Sequence, residues 1–364
     1  MATSTPAFNE KKALKHLSTA VVFLDETYTL PANKLVGRDR TNARKDLKKI
    51  MHSISEAMEI EDINDLKKQY QKIEKYIEEE KEKKSELSRK KRFAKEHETS
   101  SLSGLVPTKT LKNWTARTKG DFQILIERCE DEIESYENEL AKIREELSAL
   151  LSHQGGHISP EHLEIWLSST IKDELLGMAI LFDGAKTITE HLKVLTEESG
   201  EDLKSAKKYY GMVVILHELI ISMQENLIDK IEGEVLPKLK EQKNEALAII
   251  EKSKKLLKEH HHNNTLKNNI ESNKVTIQSI DYYYEFIRQS KESVKRALSV
   301  SKKERNIARN TYETVKTSYN VASLIHEQAI TFETLGNIMM PEVPDFQNKN
   351  MRENLREISK EMVS

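Results

Sequence analysis

The sequence has few of the residues that interrupt helices or link distant segments covalently. Its 364 residues include 11 glycines, 7 prolines and one cysteine, and aromatic residues make up 6%. So few glycines and prolines leave little material for tight turns, which argues against a fold of many short strands. A single cysteine, Cys129, excludes an intrachain disulfide. These shortages predict a small number of long helices.

A charge excess and long apolar runs are also missing. The 58 basic and 60 acidic residues give a net charge of -2, which provides no global attraction to nucleic acid or to anionic membranes. No unbroken run of 18 apolar residues occurs, so the sequence predicts no ordinary transmembrane helix. The first residues lack the apolar core of a signal peptide, and we expect a soluble protein made in the cytosol.

No motif typical of an enzyme is found. The patterns GxxxxGK[ST], GxGxxG after a strand, GxSxG and HExxH do not occur. Carboxylates are abundant, but in helices of mixed charge they usually lie on solvated faces. The run from His260 to His262 is a weak metal site, because adjacent residues on a helix point in different directions. The sequence predicts no catalytic residue, no cofactor and no metal.

Heptad spacing is what the sequence does have. Apolar residues recur at intervals of three and four in Asn9–Tyr28, Glu61–Glu98 and Gly120–Ser152. The seam of Gly120–Ser152 includes Cys129, which predicts a buried hydrophobic thiol rather than a reactive one. Thr265–Leu335 contains neither proline nor glycine and predicts one helix of about 100 Å. The predicted fold is all-α, an elongated helical bundle with long coiled-coil hairpins.

Charged residues are less frequent in one central region. Two weakly polar segments, Leu163–Phe182 and Tyr209–Ile228, are joined by a polar connection broken at Ser199-Gly200. Each has about 20 residues, enough to cross a bilayer core, and together they predict a helical hairpin. Its candidate membrane-contacting residues are Leu163, Ile165, Trp166, Leu175, Leu176, Met178, Ile180, Leu181, Phe182, Met212, Val213, Val214, Ile215, Leu216, Leu219, Ile220 and Ile221. The alternative is that these residues form the static core of a helical bundle.

The two segments also contain charged residues, which bear on how they could enter a membrane. These are Lys172, Asp173 and Glu174 in the first segment, with His217, Glu218 and Glu225 in the second. A charge at the bilayer centre costs a few kcal/mol or more, so a lone helix would insert poorly. In a ring of subunits the charges could face a water-filled lumen. We therefore predict an element with two states, whose insertion depends on assembly.

The break at Thr99–Lys119 is a second candidate for lipid contact. Gly104 and Pro107 do not continue a helix, and the basic run Arg89–Arg92 precedes the break. Tryptophan and short aliphatic residues with basic flanks are typical of a membrane interface. The predicted interfacial residues are Leu105, Val106, Leu111 and Trp114. The alternative is a loop packed against its own bundle, with solvated basic residues.

The order of these segments resembles that of α-helical pore-forming toxins. The C-terminal stretch Phe332–Ile358, FETLGNIMMPEVPDFQNKNMRENLREI, is similar to the end of components of the binary α-xenorhabdolysin family, with the smaller, B-type component the better fit by length. The resemblance covers most of the chain as layout and this tail alone as sequence. One departure is that toxins of the hemolysin E type carry a strongly hydrophobic tongue, which this sequence lacks.

The resemblance implies a fold and a function. It implies a five-helix tail, a neck and a membrane-active tip, with residues 1–98 and 265–364 as tail bundle and neck arm, 99–158 as loop and coiled-coil arm, and 159–264 as central hairpin and return arm. It also implies a cytotoxin or hemolysin component, secreted by a route that the sequence does not show. This component would assemble with a second toxin subunit into a ring-shaped pore in a target-cell membrane. The alternative is a cytoplasmic coiled-coil scaffold or adaptor.

Overall fold

The structure, a computed structural model, describes residues 8–31, 38–96, 118–153, 163–164, 166–167, 169–200, 202–259, 263–315, 321–339, 358–359 and 362. Within these residues the secondary structure is helical, and the only β-type pairings are two isolated bridges. The helices are α1 (Glu10–Thr29), α2 (Arg40–Met58), α3 (Glu61–Phe93), α4 (Lys119–His153), α5 (Lys172–Glu198), α6 (Leu203–Lys230), α7 (Leu236–Glu259), α8 (Asn264–Thr314) and α9 (Val321–Met339). The all-α prediction is confirmed.

Side-chain caps set several of the helix starts. The carboxamide of Asn9 accepts a hydrogen bond from the backbone N–H of Lys12 at 3.1 Å and begins α1. Asp39 caps α2 in the same way, at 2.8 Å from the N–H of Asn42. Such caps satisfy N–H groups that have no partner within the helix. The predicted first helix, Asn9–Tyr28, agrees with α1 to within one residue at each end.

The chain divides into two units. Unit 1 comprises residues 1–60 and 151–364, and unit 2 comprises residues 61–150. The sequence-based division instead placed its boundaries at residues 98, 158 and 264. Both chain ends therefore belong to unit 1, and unit 2 is one continuous excursion from it.

Unit 2 is an antiparallel pair formed by α3 and α4. The rings of Tyr76 and Tyr136 lie 5.6 Å apart, and Lys84 pairs with Glu130 at 2.8 Å. The pair is closed at one end by a bridge between Lys95 and the residue before α4, Thr118. Leucine, isoleucine and cysteine side chains fill the seam near this end: Leu87, Leu125, Ile126 and Cys129. The coiled-coil spacing of the sequence thus forms a helical hairpin.

Cys129 is buried in this seam. Desolvation, with a further contribution from the neighbouring carboxylate of Glu80, raises the pKa of its thiol to about 11. A thiol with so high a pKa holds almost no thiolate near neutral pH. The prediction that Cys129 is buried is confirmed, and the raised pKa agrees with the prediction of an unreactive thiol.

Unit 1 is organised around α6. Every residue from Tyr210 to His217 is buried, because α1, α2, α5, α8 and α9 all pack against this helix. Gly211 allows the closest approach, since a Cβ built there would lie 2.9 Å from Val21 on α1 and 3.0 Å from Tyr312 on α8. A helix enclosed on all sides needs apolar residues around its whole circumference. The run GMVVIL (Gly211–Leu216) supplies them.

Helix α6 continues into α7 through a π-helical turn, Ile231–Val235. Pro237 follows two residues later and has no N–H for the carbonyl four residues earlier, that of Gly233. A π turn adds one residue to the helical ring and relieves such a local mismatch. The sequence predicts a kink at Pro237, and the structure places a π turn directly before it.

The prediction of one helix over Thr265–Leu335 is wrong. Helix α8 ends at Thr314 after 51 residues, about 75 Å, and α9 begins at Val321 and packs against α5, α6 and α8. Lys186 on α5 pairs with Glu333 on α9 at 3.2 Å. The physical reason is burial: α9 hides an apolar stripe inside unit 1 that a straight continuation of α8 would leave uncovered. That stripe is Val321, Ile325, Ala329, Phe332 and Leu335.

Candidate functional site

The predicted central hairpin is present as α5 and α6. Helix α5 ends at Glu198, and Gly200 has a φ of 63°, a left-handed conformation that glycine adopts at little cost. The carboxylate of Asp202 then accepts hydrogen bonds from the N–H groups of Lys204 at 3.2 Å and Ser205 at 3.0 Å, which begins α6. The break expected at Ser199-Gly200 is the turn of this hairpin.

The predicted membrane-contacting residues lie in the interior of unit 1. Of the 17 candidates, all but Ile165 have described side chains, and each of those is buried. The structure therefore brings them together as a protein core. Their contact with lipid stays a prediction, because the same apolar surface suits either environment. Ile165, Leu105, Val106, Leu111 and Trp114 lie outside the described residues.

One stretch of α6 is long and apolar enough to cross a membrane. An 18-residue window within Lys204–Glu259 meets that criterion by length and composition, and 72% of it is buried. This stretch contains charged residues, so the search for an unbroken apolar run did not find it. Core helices of soluble proteins meet the same criterion, so the stretch identifies a candidate and not a span.

The charges expected in α6 have partners on α8. The carboxylate of Glu218 lies 3.0 Å from the guanidinium of Arg305 and also contacts Arg309. Two turns further along α6, Glu225 pairs with Lys302 at 2.7 Å. Glu218 is the more enclosed of the two carboxylates. Withdrawing α6 from α8 would separate these pairs, and each carboxylate would need another partner or water.

An ion pair also joins the two helices of the hairpin. The ammonium of Lys230, at the end of α6, lies 2.7 Å from Glu174, in the first turn of α5. Gly177 faces Met223 across the same contact. The pairing shows that α5 and α6 run antiparallel. It would travel with the hairpin if the two helices moved together.

His217 is fully buried and carries no charge in the fold. Its Nε2 lies 2.8 Å from Oε1 of Gln328 on α9, and its ring centroid lies 4.4 Å from that of Phe332. Desolvation is the largest cause that lowers its pKa to about 4, against a smaller opposite effect of Gln328. The sequence placed His217 among the embedded charges. The structure makes it a neutral hydrogen-bonding group in the core.

We expect this histidine to make unit 1 sensitive to acid. Its pKa is about 4 when folded and about 6.5 when unfolded, so its contribution to stability is complete above pH 6.5 and is lost as the pH falls toward 4. The full loss corresponds to about 3 kcal/mol. Urea unfolding at pH 7.5 and pH 4.5 should show His217→Gln losing less stability than wild type. Equal losses in the two proteins would contradict the assignment.

The pKa shift of Asp183 on α5 has the opposite effect on how stability depends on pH. Desolvation raises the pKa of its carboxyl to about 7, opposed by Lys186 and reinforced by Glu190. Its contribution to stability is greatest at low pH and is lost as the pH rises through 7. Both proteins in the His217 comparison retain Asp183, so its effect cancels in their difference. Nothing in the sequence pattern distinguishes this carboxylate from its solvated neighbours.

No metal-binding group of three or more histidine, cysteine or acidic side chains occurs among the described residues. His260, His261 and His262 lie outside them. The chemistry that remains is that of buried apolar helices and paired charges, with no assembled set of nucleophile, base or ligands on the part of the chain that the structure describes.

Comparisons with known proteins give no match to a family model, to a curated protein or to a solved structure. The similarity of Phe332–Ile358 to the tail of α-xenorhabdolysin components therefore stays a prediction from the sequence. The case for a function rests on the geometry of unit 1 and unit 2.

Proposed function

We propose that this protein is one component of a two-subunit α-helical pore-forming toxin, whose α5–α6 hairpin enters the target-cell membrane after assembly with a second subunit. The observation that carries the proposal is the enclosure of α6. A stretch apolar enough to span a bilayer is 72% buried within its own fold. A protein that inserts on assembly needs such a stretch and needs it covered beforehand.

The dimensions of the hairpin suit this role. Helices α5 and α6 contain 27 and 28 residues, about 40 Å each, which exceeds the ~30 Å hydrocarbon core of a bilayer. The connecting turn is short and polar, so it can lie at the far surface. Apart from the end groups, the backbone N–H and C=O groups of each helix bond to one another, as a bilayer requires.

The charges of α6 make a partner necessary. Glu218 and Glu225 leave their basic partners on α8 when the hairpin moves. A carboxylate in contact with lipid costs several kcal/mol, so the protein alone should remain outside the bilayer. A ring of subunits provides a water-filled lumen that the same carboxylates can face. Assembly then supplies the free-energy difference between the two states.

A coiled-coil scaffold is the second candidate, and unit 2 favours it. The α3–α4 pair has the apolar seam and the interhelical ion pair Lys84–Glu130 that are typical of a docking arm. This function needs no movement of α5 or α6. The two candidates therefore differ in whether unit 1 must open.

Dye release from liposomes separates them. We expect no release with the protein alone, and release well above background when the product of the neighbouring gene is added as the candidate second subunit. The physical reason is that only the assembled ring shields Glu218 and Glu225 from lipid. The matched control is that product alone. Absence of release in every combination, with a stable complex still formed between the two proteins, would support the scaffold instead.

A further inference from the structure

The closed end of unit 2 exposes an aromatic side chain that its own seam leaves out. Phe93, in the last turn of α3, is 88% exposed, and Ile124 on α4 is 40% exposed. The seam beside them is already filled by Leu87, Leu125 and Ile126. At this exposure the Phe93 ring gains almost none of the stabilisation that burial of an apolar side chain provides.

Positive charge surrounds this side chain. The two stretches that meet here, 86–96 and 118–128, contain seven basic and four acidic residues, whereas the whole chain has a net charge of -2. Arg89, Lys90, Arg92 and Lys95 are all exposed. An excess of one sign in a chain of nearly balanced charge is local, so it acts on what approaches this end.

Main-chain and side-chain contacts hold the end of α3 against the start of α4. The N–H of Lys119 donates to the carbonyl of Lys95 at 3.0 Å, and the ammonium of Lys119 pairs with Glu96 at 2.7 Å. The ammonium of Lys91 contacts the carboxamide of Gln123 on α4. The exposed ring and its cations therefore lie on a helix end anchored to its neighbour.

We propose that this end of unit 2, defined by Arg89, Lys90, Arg92, Phe93 and Lys95, binds the surface of an anionic phospholipid bilayer. An aromatic ring at the boundary between headgroups and acyl chains, with basic side chains on the phosphates, is how peripheral proteins hold such surfaces. The proposal rests on the proposed function and names its first step. Unit 2 holds the protein on anionic lipid before any helix of unit 1 moves.

Sedimentation with sucrose-loaded vesicles tests this with the full chain and no second subunit. We expect binding to vesicles of phosphatidylcholine with about one-third phosphatidylserine, little binding to pure phosphatidylcholine, and loss of binding at high salt. Each basic residue near an anionic surface contributes on the order of 1 kcal/mol, so Arg89→Gln/Arg92→Gln/Lys95→Gln should bind about a hundredfold more weakly. Phe93→Ser should bind about tenfold more weakly.

The matched control removes the same charge elsewhere. Lys252, Lys255 and Lys258 are exposed near the end of α7, and their triple replacement by Gln should change binding by less than about threefold. If the control weakens binding as much as the unit 2 triple variant, the attraction is general charge and the proposal fails. It also fails if the wild-type protein ignores anionic vesicles.

Dye release in the presence of the second subunit separates this inference from the proposed function. Binding that depends on Phe93, with no release by any pair of subunits, would keep the lipid site and remove the pore. If dye release persists although the protein does not bind anionic vesicles, the pore is kept and the lipid site is removed. If the unit 2 variants lose release and keep vesicle binding, this end contacts the second subunit, and the lipid assignment is overturned.

Discussion

Oxidation of a Met58→Cys/Gly184→Cys variant is expected to abolish dye release from liposomes in the presence of the second subunit. Reduction is expected to restore it. A Cβ built at Gly184 on α5 would lie 3.7 Å from the Cβ of Met58 on α2, close to the ~3.8 Å typical of disulfides. The bond would tie the hairpin to the bundle, so α5 could not leave. Release by the oxidised protein should fall to background, because cross-linked subunits cannot open.

The local packing accepts the two cysteines. The tip of the Met58 side chain lies 2.5 Å from the position of the new Cβ at Gly184, and shortening Met58 to cysteine removes those atoms. Cys129 is a weak competitor for the disulfide, since its thiol is buried with a raised pKa. Each single variant, treated with the same oxidant, is the matched control and should release dye. Undiminished release by fully cross-linked protein would show that α5 stays on α2.

Ile215→Asp is expected to lower the free energy of unfolding by about 4 kcal/mol or more, measured in urea at pH 8. Ile215 has 0% exposure in α6, and a carboxylate there would have neither water nor a cation. A loss of that size is a large share of the 5–15 kcal/mol that holds a typical domain together. The variant should be partly unfolded at 37 °C.

Ile330→Asp is the control for this substitution. Ile330 lies on the neighbouring helix α9 and is 54% exposed, so the same change should shift stability by no more than about 0.5 kcal/mol. Similar stabilities for the two variants would mean that α6 is not the core of unit 1. Because Ile215→Asp disturbs the folded monomer, its loss of dye release does not by itself demonstrate lipid contact. The reversible disulfide is the more direct test.

Local pattern predicts the helices of this protein well. Apolar spacing predicts α1 over Asn9–Tyr28, and the structure buries Leu17, Val21 and Leu24 of that stripe. The glycine after Ser199 marks the turn of the hairpin. These features depend on residues within a few positions of one another, which is the range over which propensity and capping act.

The packing partners of the helices cannot be predicted from local sequence in the same way. No proline or glycine separates Thr314 from Val321, so the end of α8 follows from what α9 can bury, not from a helix-breaking residue. Glu218 pairs with Arg305 and Arg309, which lie 87 and 91 positions further along the chain. In a sequence with 58 basic residues, many cations could pair with such a carboxylate, and only the fold selects these two.

The candidate site shows the same limit. Composition identified the apolar residues of α5 and α6, but it does not say which medium surrounds them, because protein interior and hydrocarbon favour the same side chains. His217 was predicted as a charge, and its burial against Gln328 makes it neutral. Phe93 was not singled out, since its exposure depends on how the seam of unit 2 is filled.

The return of the chain to its own beginning has a consequence for biosynthesis. The hydroxyl of Tyr312 donates to the carboxylate of Asp25 across 287 positions of sequence. At 5–20 residues per second, a ribosome makes the second partner about 15–60 s after the first. Through most of that interval α1 lacks α6 as well as α8, although α2 is already made, whereas α3 and α4 follow one another closely and can pair early. The nascent protein can therefore complete unit 2 while the apolar face of α1 still awaits α6 and α8, and apolar surface left uncovered in this way is prone to aggregation.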